Sequence, residues 1–235
     1  MKHSGEFFSC ETCPNKAHSP LGNVIDASLG EIDLGKSCVY FKKGQMLLHE
    51  GNKPGGLYCI RTGKLKLSRM GYDGKEQIIR FAKDGDLIGY RSLLSGESIS
   101  ASVTILEDTH ACYLPKSMVF EMIEKNPKFS LELMKLACHE LGEASKIITN
   151  LAQKSVRERL AEVLLILRET FGENEEGELD IALTREEIAN MVGTATESVI
   201  RLLSEFKDDD LIEIHGRRLA LKNVKELAHV GKVYD

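Results

Sequence analysis

Ten glycines between residues 44 and 96 limit what the first half of this chain can become. Each glycine costs a helix interior about 1 kcal/mol relative to alanine, so a helix cannot run through this stretch. What lies between the glycines is short and alternating. Leu57, Tyr58, Cys59 and Ile60 read as one strand and Lys64, Leu65, Lys66 and Leu67 as another, with a turn at Thr62 and Gly63. A second turn at Tyr72, Asp73, Gly74 and Lys75 leads into a strand over 77–81. Short strands with regular turn signals predict an antiparallel β-barrel or jelly roll, with strands from Cys38 to Leu114.

The period changes after Leu114. Residues 115–126 are helical in pattern and stop at Pro127, and the longest helical pattern follows over 128–152. Met134, Ala137, Leu141, Ala144, Ile148 and Leu151 are spaced 3, 4, 3, 4, 3, which is a heptad seam. Leu133, Leu136 and Ile147 form a second stripe, expected to face the chain's own barrel. Two stripes call for two partners, so the seam predicts a parallel homodimer. A further amphipathic helix over 155–171 buries Leu160, Val163, Leu164 and Leu167, and an acidic loop over 172–177 follows.

Residues 183–206 read as two short helices joined at Val192, Gly193 and Thr194. Thr184 with Glu187 is a capping box for the first. In the second, Val199, Leu202, Leu203 and Phe206 form the packing face, while Thr196, Glu197, Ile200, Arg201 and Ser204 lie opposite. Such a helix suits a DNA major groove. Two local roles compete for its front: Thr194 with Glu197 fits another capping box, and Glu197 with Arg201 fits an i, i+4 ion pair. Strands over 211–214 and 218–221, turned at His215, Gly216 and Arg217, predict a wing whose Arg217 and Arg218 reach phosphate. The expected organisation is α+β: a Cys-containing N-terminal arm over 1–35, a barrel sensor domain over 36–126, a dimerisation helix over 127–153 and a winged helix-turn-helix over 154–235.

Charge and cysteine usage narrow the function. The chain carries a net charge of −5, and from Ser155 onward 11 Lys and Arg face 18 Asp and Glu. A binder relying on general phosphate attraction is excluded, while a specific reader with its cations on one face is not. No apolar run is long enough to cross a bilayer and no secretory signal is legible, so a cytoplasmic protein with no membrane partner is expected. Six cysteines in such a chain are not a disulfide scaffold. Cys10 and Cys13 form a CxxC pair with no strand before it, which favours a ligand role over dithiol catalysis. Cys59, inside a strand, and Cys138, on the long helix, read as structural. Only His49 and His110 lie within the barrel's span, too few for a jelly-roll metalloenzyme, so no enzyme is expected.

Barrel, long helix and winged helix-turn-helix, in that order, resemble the Crp/Fnr family of bacterial transcription regulators. The resemblance rests on Phe41-Lys42-Lys43-Gly44-Gln45, His49-Glu50-Gly51, the run from Leu57 to Gly63, Gly85-Asp86-Leu87-Ile88-Gly89, and the run from Glu197 to Leu203. It implies a homodimer on a near-palindromic double-stranded DNA site that recruits or blocks RNA polymerase. Glu197 and Arg201 would read bases in a TGA-like half-site. Ile200 stands where the Fnr branch holds a serine, so an altered half-site is expected. Cyclic-nucleotide binders of the family carry a glutamate where Tyr90 stands, and an Arg-Ser pair where Ser100 and Ala101 stand. Cyclic AMP is therefore not expected to bind.

The Fnr branch, by the same resemblance, holds a [4Fe–4S] cluster with three N-terminal cysteines and one in the barrel. Cys10, Cys13 and Cys112 match, whereas Ser19 stands at the place of the third N-terminal cysteine, leaving Cys38 or His18 to fill the vacancy. The alternatives are another metal or a thiol redox switch, or a metal-free regulator that reads a small organic ligand or a partner protein through its barrel. The Fnr branch also carries an aspartate on the dimer seam, and the equivalent Ala144 removes that repulsion.

Overall fold

The computed structural model describes residues 8–22 and 32–233. Of the N-terminal arm expected over 1–35, residues 1–7 and 23–31 lie outside the described residues. The chain divides into two compact units.

The first unit is built on eight strands: β1 (Ser37–Phe41), β2 (Met46–Leu48), β3 (Gly56–Thr62), β4 (Leu65–Met70), β5 (Glu76–Ala82), β6 (Leu87–Ile88), β7 (Ser102–Ile105) and β8 (Thr109–Pro115). They form two four-stranded sheets, ordered β1-β8-β3-β6 and β2-β7-β4-β5. Strands β3 and β4, consecutive in sequence, thus lie in different sheets rather than in one hairpin. Gly63 makes that crossing with φ +132, where a Cβ would stand 2.0 Å from the Thr109 hydroxyl. Phe41, Ile60, Ile88 and Ala111 from one sheet meet Leu47, Leu65, Ala82, Val103 and Ile105 from the other, which is the jelly-roll core.

Side chains alternate along each strand, so the first sheet has a second face. Leu57 and Leu114 point there. They pack with Cys10, Leu21 and Ile32 of the arm, and with α1 (Tyr90–Ser95), α2 (Lys116–Lys125) and the start of α3 (Pro127–Gln153). Asn126 caps α3, its side-chain oxygen accepting from the Lys128 and Phe129 amides. Phe129 and Leu133 are buried in this second core and Leu136 packs against it. Ile147 does not follow them, as the sequence stripe predicted; it is 38% exposed. The second core ends at Ala137, nearly three turns earlier, so the stripe outruns the surface it was assigned to. On the seam, Met134, Leu141, Ile148 and Leu151 are exposed, with Leu141 at 69% and Ile148 at 68%.

The second unit holds α4 (Val156–Phe171), α5 (Arg185–Val192), α6 (Thr196–Asp208), the two-stranded β9 (Ile212–His215) and β10 (Arg218–Leu221), and α7 (Val224–Gly231). Leu160, Val163, Leu164 and Leu167 of α4 are buried, as are Val199, Leu202, Leu203 and Phe206 of α6. Full burial of each such side chain is worth about 1.5–3 kcal/mol. Gly193 ends α5 in the left-handed region with φ +72, its amide donating to the Ala189 carbonyl.

Ser155 and Glu158 form a complete capping box at the start of α4, and Lys232, just past α7, reaches Glu158 at 2.6 Å. The Lys232 hydrogen bond, then that from the Ser155 amide, hold the Glu158 carboxyl at about 2 against an ordinary 4.5. A carboxyl depressed by folding adds stability that is full above 4.5 and lost as the pH falls toward 2. Glu158→Gln is therefore expected to lower the melting temperature at neutral pH and to shrink its further fall across that acid window. Calorimetry from neutral to acid pH checks this, and a variant with unchanged acid sensitivity would contradict it.

Candidate functional site

The α6 front is set by what its back buries. Glu197, Ile200, Arg201 and Ser204 are exposed and Thr196 is half-buried. Neither competing local role forms. The helix cap is Ala195, with no side-chain cap bond, so Thr194 lies one residue too early to cap through Glu197. Arg201 pairs with Glu205, at 2.8 Å, and not with Glu197. Among the described residues Glu197 has no side-chain partner. Glu205 also takes Arg157 at 3.1 Å, and the Arg157 guanidinium lies over the Phe206 ring and bonds Asp209 at 2.7 Å. An exposed pair such as Arg201–Glu205 is worth at most about 1 kcal/mol, so it parks the guanidinium without locking it.

At the wing, His215 pairs with Arg218, so the turn is only Gly216 and Arg217. Arg217 is exposed at the tip. Arg218 is half-buried and turned back toward Glu178, 3.7 Å away. Glu178 also bonds His215 at 2.7 Å, and this bond is the main cause that holds its carboxyl below the usual range. Of the two wing arginines, Arg217 is the one placed to reach out. Part of the acidic excess of this half is spent internally, Glu178 on the wing and Asp209 on Arg157.

The cysteines meet on the second face of the first sheet. Antiparallel register sets Cys112 of β8 directly across from Cys38 of β1 on one side and from Cys59 of β3 on the other. Residues directly opposite share a face, so the three thiols stand in a row. Cys38 and Cys112 sulfurs are 3.3 Å apart. Above the row lies the arm. Cys10, Cys13, Cys59 and Cys112 line one pocket, together with Lys36 and Arg61. Lys36, with a side chain only 2% exposed, donates to the Cys10 sulfur at 2.7 Å and to Asp33 at 2.6 Å. Asp33 in turn accepts from the Cys10 amide and the Ser9 hydroxyl. Burial works against the Asp33 charge, but these bonds outweigh it and bring the carboxyl to about 2. Burial pushes the Cys59 thiol up to about 12, and it also raises Cys10 despite the nearby Lys36. The Ser19 hydroxyl touches the Cys59 sulfur at 3.6 Å. His18 is exposed, and neither it nor Cys38 forms a wall of the pocket. Cys138 is exposed on α3.

Tyr90, where a cyclic-nucleotide site would place its glutamate, is 1% exposed in the second core. Beside it Glu140 of α3 is held by Arg80 at 2.9 Å and Arg91 at 3.6 Å. Both arginines thus already share one carboxylate of the chain itself.

Residues 38–126 match the family model for the cyclic nucleotide-binding domain, and residues 158–230 that for the Crp-like helix-turn-helix domain. The transcriptional activator protein anr of Pseudomonas aeruginosa is 30% identical over 188 residues, spanning 79% of this chain and 77% of that protein. The chain belongs to the Crp/Fnr family. It falls in the Fnr-like branch: the fumarate and nitrate reduction regulatory protein of Vibrio cholerae is 29% identical over 194 residues, 82% of this chain and 77% of that one. Among solved structures, FixK2 from Bradyrhizobium japonicum shares the fold with a TM-score of 0.73 at 23% identity, covering 85% of this chain and 99% of that one. This Crp/Fnr protein is a transcription regulator with a helix-turn-helix DNA-binding domain and not an enzyme. Among the described residues no helix is long and apolar enough to cross a membrane.

Sequence reasoning did not place Cys59, Lys36 or Glu205 beside the groups they meet in the structure. The alternation of Leu57 to Ile60 already put Cys59 on the face opposite Ile60. Nothing local placed it beside Cys112, 53 positions away in sequence. Arg201→Ala is expected to cost about 1–3 kcal/mol of discrimination at one base pair of each half-site. It should leave the melting temperature within experimental scatter, because only an exposed pair is lost. Fluorescence anisotropy on an operator selected from random duplexes by the wild-type protein checks this, and undiminished sequence preference would refute the role.

Proposed function

We propose that this regulator is a homodimer that reads a near-palindromic operator and reports oxygen or redox state through a cysteine-ligated iron–sulfur centre. The single observation carrying the reading is the pocket in which Cys10 and Cys13 of the arm face Cys112 of the sheet. The donor set fits a cluster better than a lone ion. Among the described residues no three Cys, His, Asp or Glu side chains converge on one point. Thiols spread around a pocket wall suit a cluster whose irons each take one thiolate. Lys36 and Arg61 beside them offset its negative charge. An iron–sulfur cluster, when bound, supplies an oxygen- and redox-sensitive metal–thiolate centre.

The chain's own residues supply the rest. Ligation by Cys10 and Cys13 ties the arm to the sheet. Cys10 belongs to the same core as Phe129 and Leu133, in the first turns of α3, so a change at the arm is felt where the helix starts. Met134, Ala137, Leu141, Ala144, Ile148 and Leu151 form the dimer seam, and its exposed apolar members support that role. Ala144 leaves this seam without like-charge repulsion, so the signal reorients DNA-binding domains in a standing dimer rather than creating the dimer. Glu197 accepts from a cytosine amino group, Arg201 bonds guanine, Ile200 touches a thymine methyl, and Thr196 and Ser204 flank them. Arg217 holds phosphate at the wing, with Arg218 behind it. RNA polymerase is the partner this class of regulator acts on, and the turn over 71–77 is the segment offered to it.

Purification without oxygen tests the reading in one experiment. A brown protein whose visible absorption bleaches in air, and which sediments as a dimer before and after, is expected, with operator binding that changes on bleaching. A colourless, iron-free dimer that binds its operator equally with and without air would replace this reading with a ligand or partner protein sensed by the barrel. A monomer in the metal-free state would overturn the standing dimer.

A further inference from the structure

Three thiols of the pocket are accounted for by Cys10, Cys13 and Cys112, and the fourth place is open between two sheet residues. Cys38 and Cys59 are equally close to Cys112 in the ladder, one strand away on either side. The arm breaks that symmetry. Its Phe8 amide reaches Cys38, but Ser19 touches the Cys59 sulfur and Asn15 bonds the Arg61 carbonyl two residues further along β3. Cys59 shares the pocket wall with Cys10, Cys13 and Cys112, whereas Cys38 does not. We infer that Cys59 of β3 is the fourth thiolate ligand of the iron–sulfur centre, and that Cys38 stands outside the ligand set.

The inference rests on the iron–sulfur reading above and sharpens it. Its chemistry is consistent with the surroundings. Four thiolates around a cluster carry excess negative charge, and three cations, Lys16, Lys36 and Arg61, line the pocket to meet it. Lys36 already donates to Cys10, and Arg61 follows Cys59 on the same strand. The arrangement also explains Ser19. A short polar side chain there leaves room for the Cys59 sulfur, and a thiol at either position addresses the same corner of the pocket. Two ligands from the arm and two from neighbouring strands make the centre a staple between arm and sheet. A set drawn mainly from the arm would make it a knot within the arm.

The test uses the full-length chain, reconstituted without oxygen from ferrous iron, sulfide and a thiol reductant. Iron and acid-labile sulfide per chain, visible circular dichroism and thermal melting are the readouts, with Cys138→Ser as control. Cys59→Ala is chosen because alanine fills a buried cysteine site with little disturbance. The expected result is loss of most of the iron and of the visible bands in Cys59→Ala, near wild-type loading in Cys38→Ser, and recovery when Ser19→Cys is added to Cys59→Ala. Loss with wild-type melting, or recovery by Ser19→Cys, supports the assignment. Full loading of Cys59→Ala, or loss of loading in Cys38→Ser alone, overturns it. Loss in Cys59→Ala with depressed melting and no recovery assigns Cys59 to packing and overturns it as well. A wild-type chain that takes up no iron fails at the earlier step, since the iron–sulfur reading itself falls and this assignment falls with it.

Discussion

The barrel of the molecule depends on one hydrogen-bonded ladder, the pairing of β8 with β1 on one edge and β3 on the other. Antiparallel register decides which side chains stand opposite one another, and a slip of one residue would turn each to the other face. The register found here aligns Cys38, Cys112 and Cys59 across three strands. The same alternation sends Ile60, Ala111 and Phe41 into the jelly-roll core behind them. The thiols are therefore fixed to the outer face by the burial of their neighbours. The arm then closes over them, held by Asp33 and by the arginine of Arg61 stacked over the Phe8 ring.

Much of this was legible in the sequence where the signal was local. The period of 3.6 over 183–206 placed both helices, the Thr184–Glu187 box formed, and the buried stripe of α6 came out residue by residue. The glycine punctuation located the strands. What failed was non-local or depended on a single-residue boundary. Ala195 rather than Thr194 caps α6, which removed one local role for Glu197. Arg201 chose Glu205 over Glu197, both four residues away, because Glu205 also gathers Arg157. Ile147 kept the spacing of Leu133 and Leu136 but ran beyond the core they enter. For Cys59 the strand was the only visible context, so its neighbours from the arm and from β8 were not legible.

The DNA-reading half shows how an acidic domain can carry such a role. Several of its carboxylates are paired within the domain: Glu178 with His215 and Arg218, Glu205 with Arg157 and Arg201, Glu158 with Lys232. The Arg201–Glu205 pair is exposed and weak, so the guanidinium of Arg201 is held ready rather than consumed. In the proposed function, affinity comes from specific contacts and from two half-sites engaged together, since the net charge of the domain opposes phosphate. Ile200 is an exposed apolar side chain between Glu197 and Arg201 on this front.

Arm, sheet and long helix share one apolar core, so an event at Cys10 has a short packed route to Phe129 and Leu133 at the root of α3. In the proposed function, thiols from arm and sheet together hold one metal centre. Iron K-edge X-ray absorption on the anaerobically reconstituted chain addresses that claim most directly. The predicted spectrum has a first shell of sulfur alone and clear iron–iron scattering. Isolated iron, or a first shell with nitrogen or oxygen donors, would contradict it.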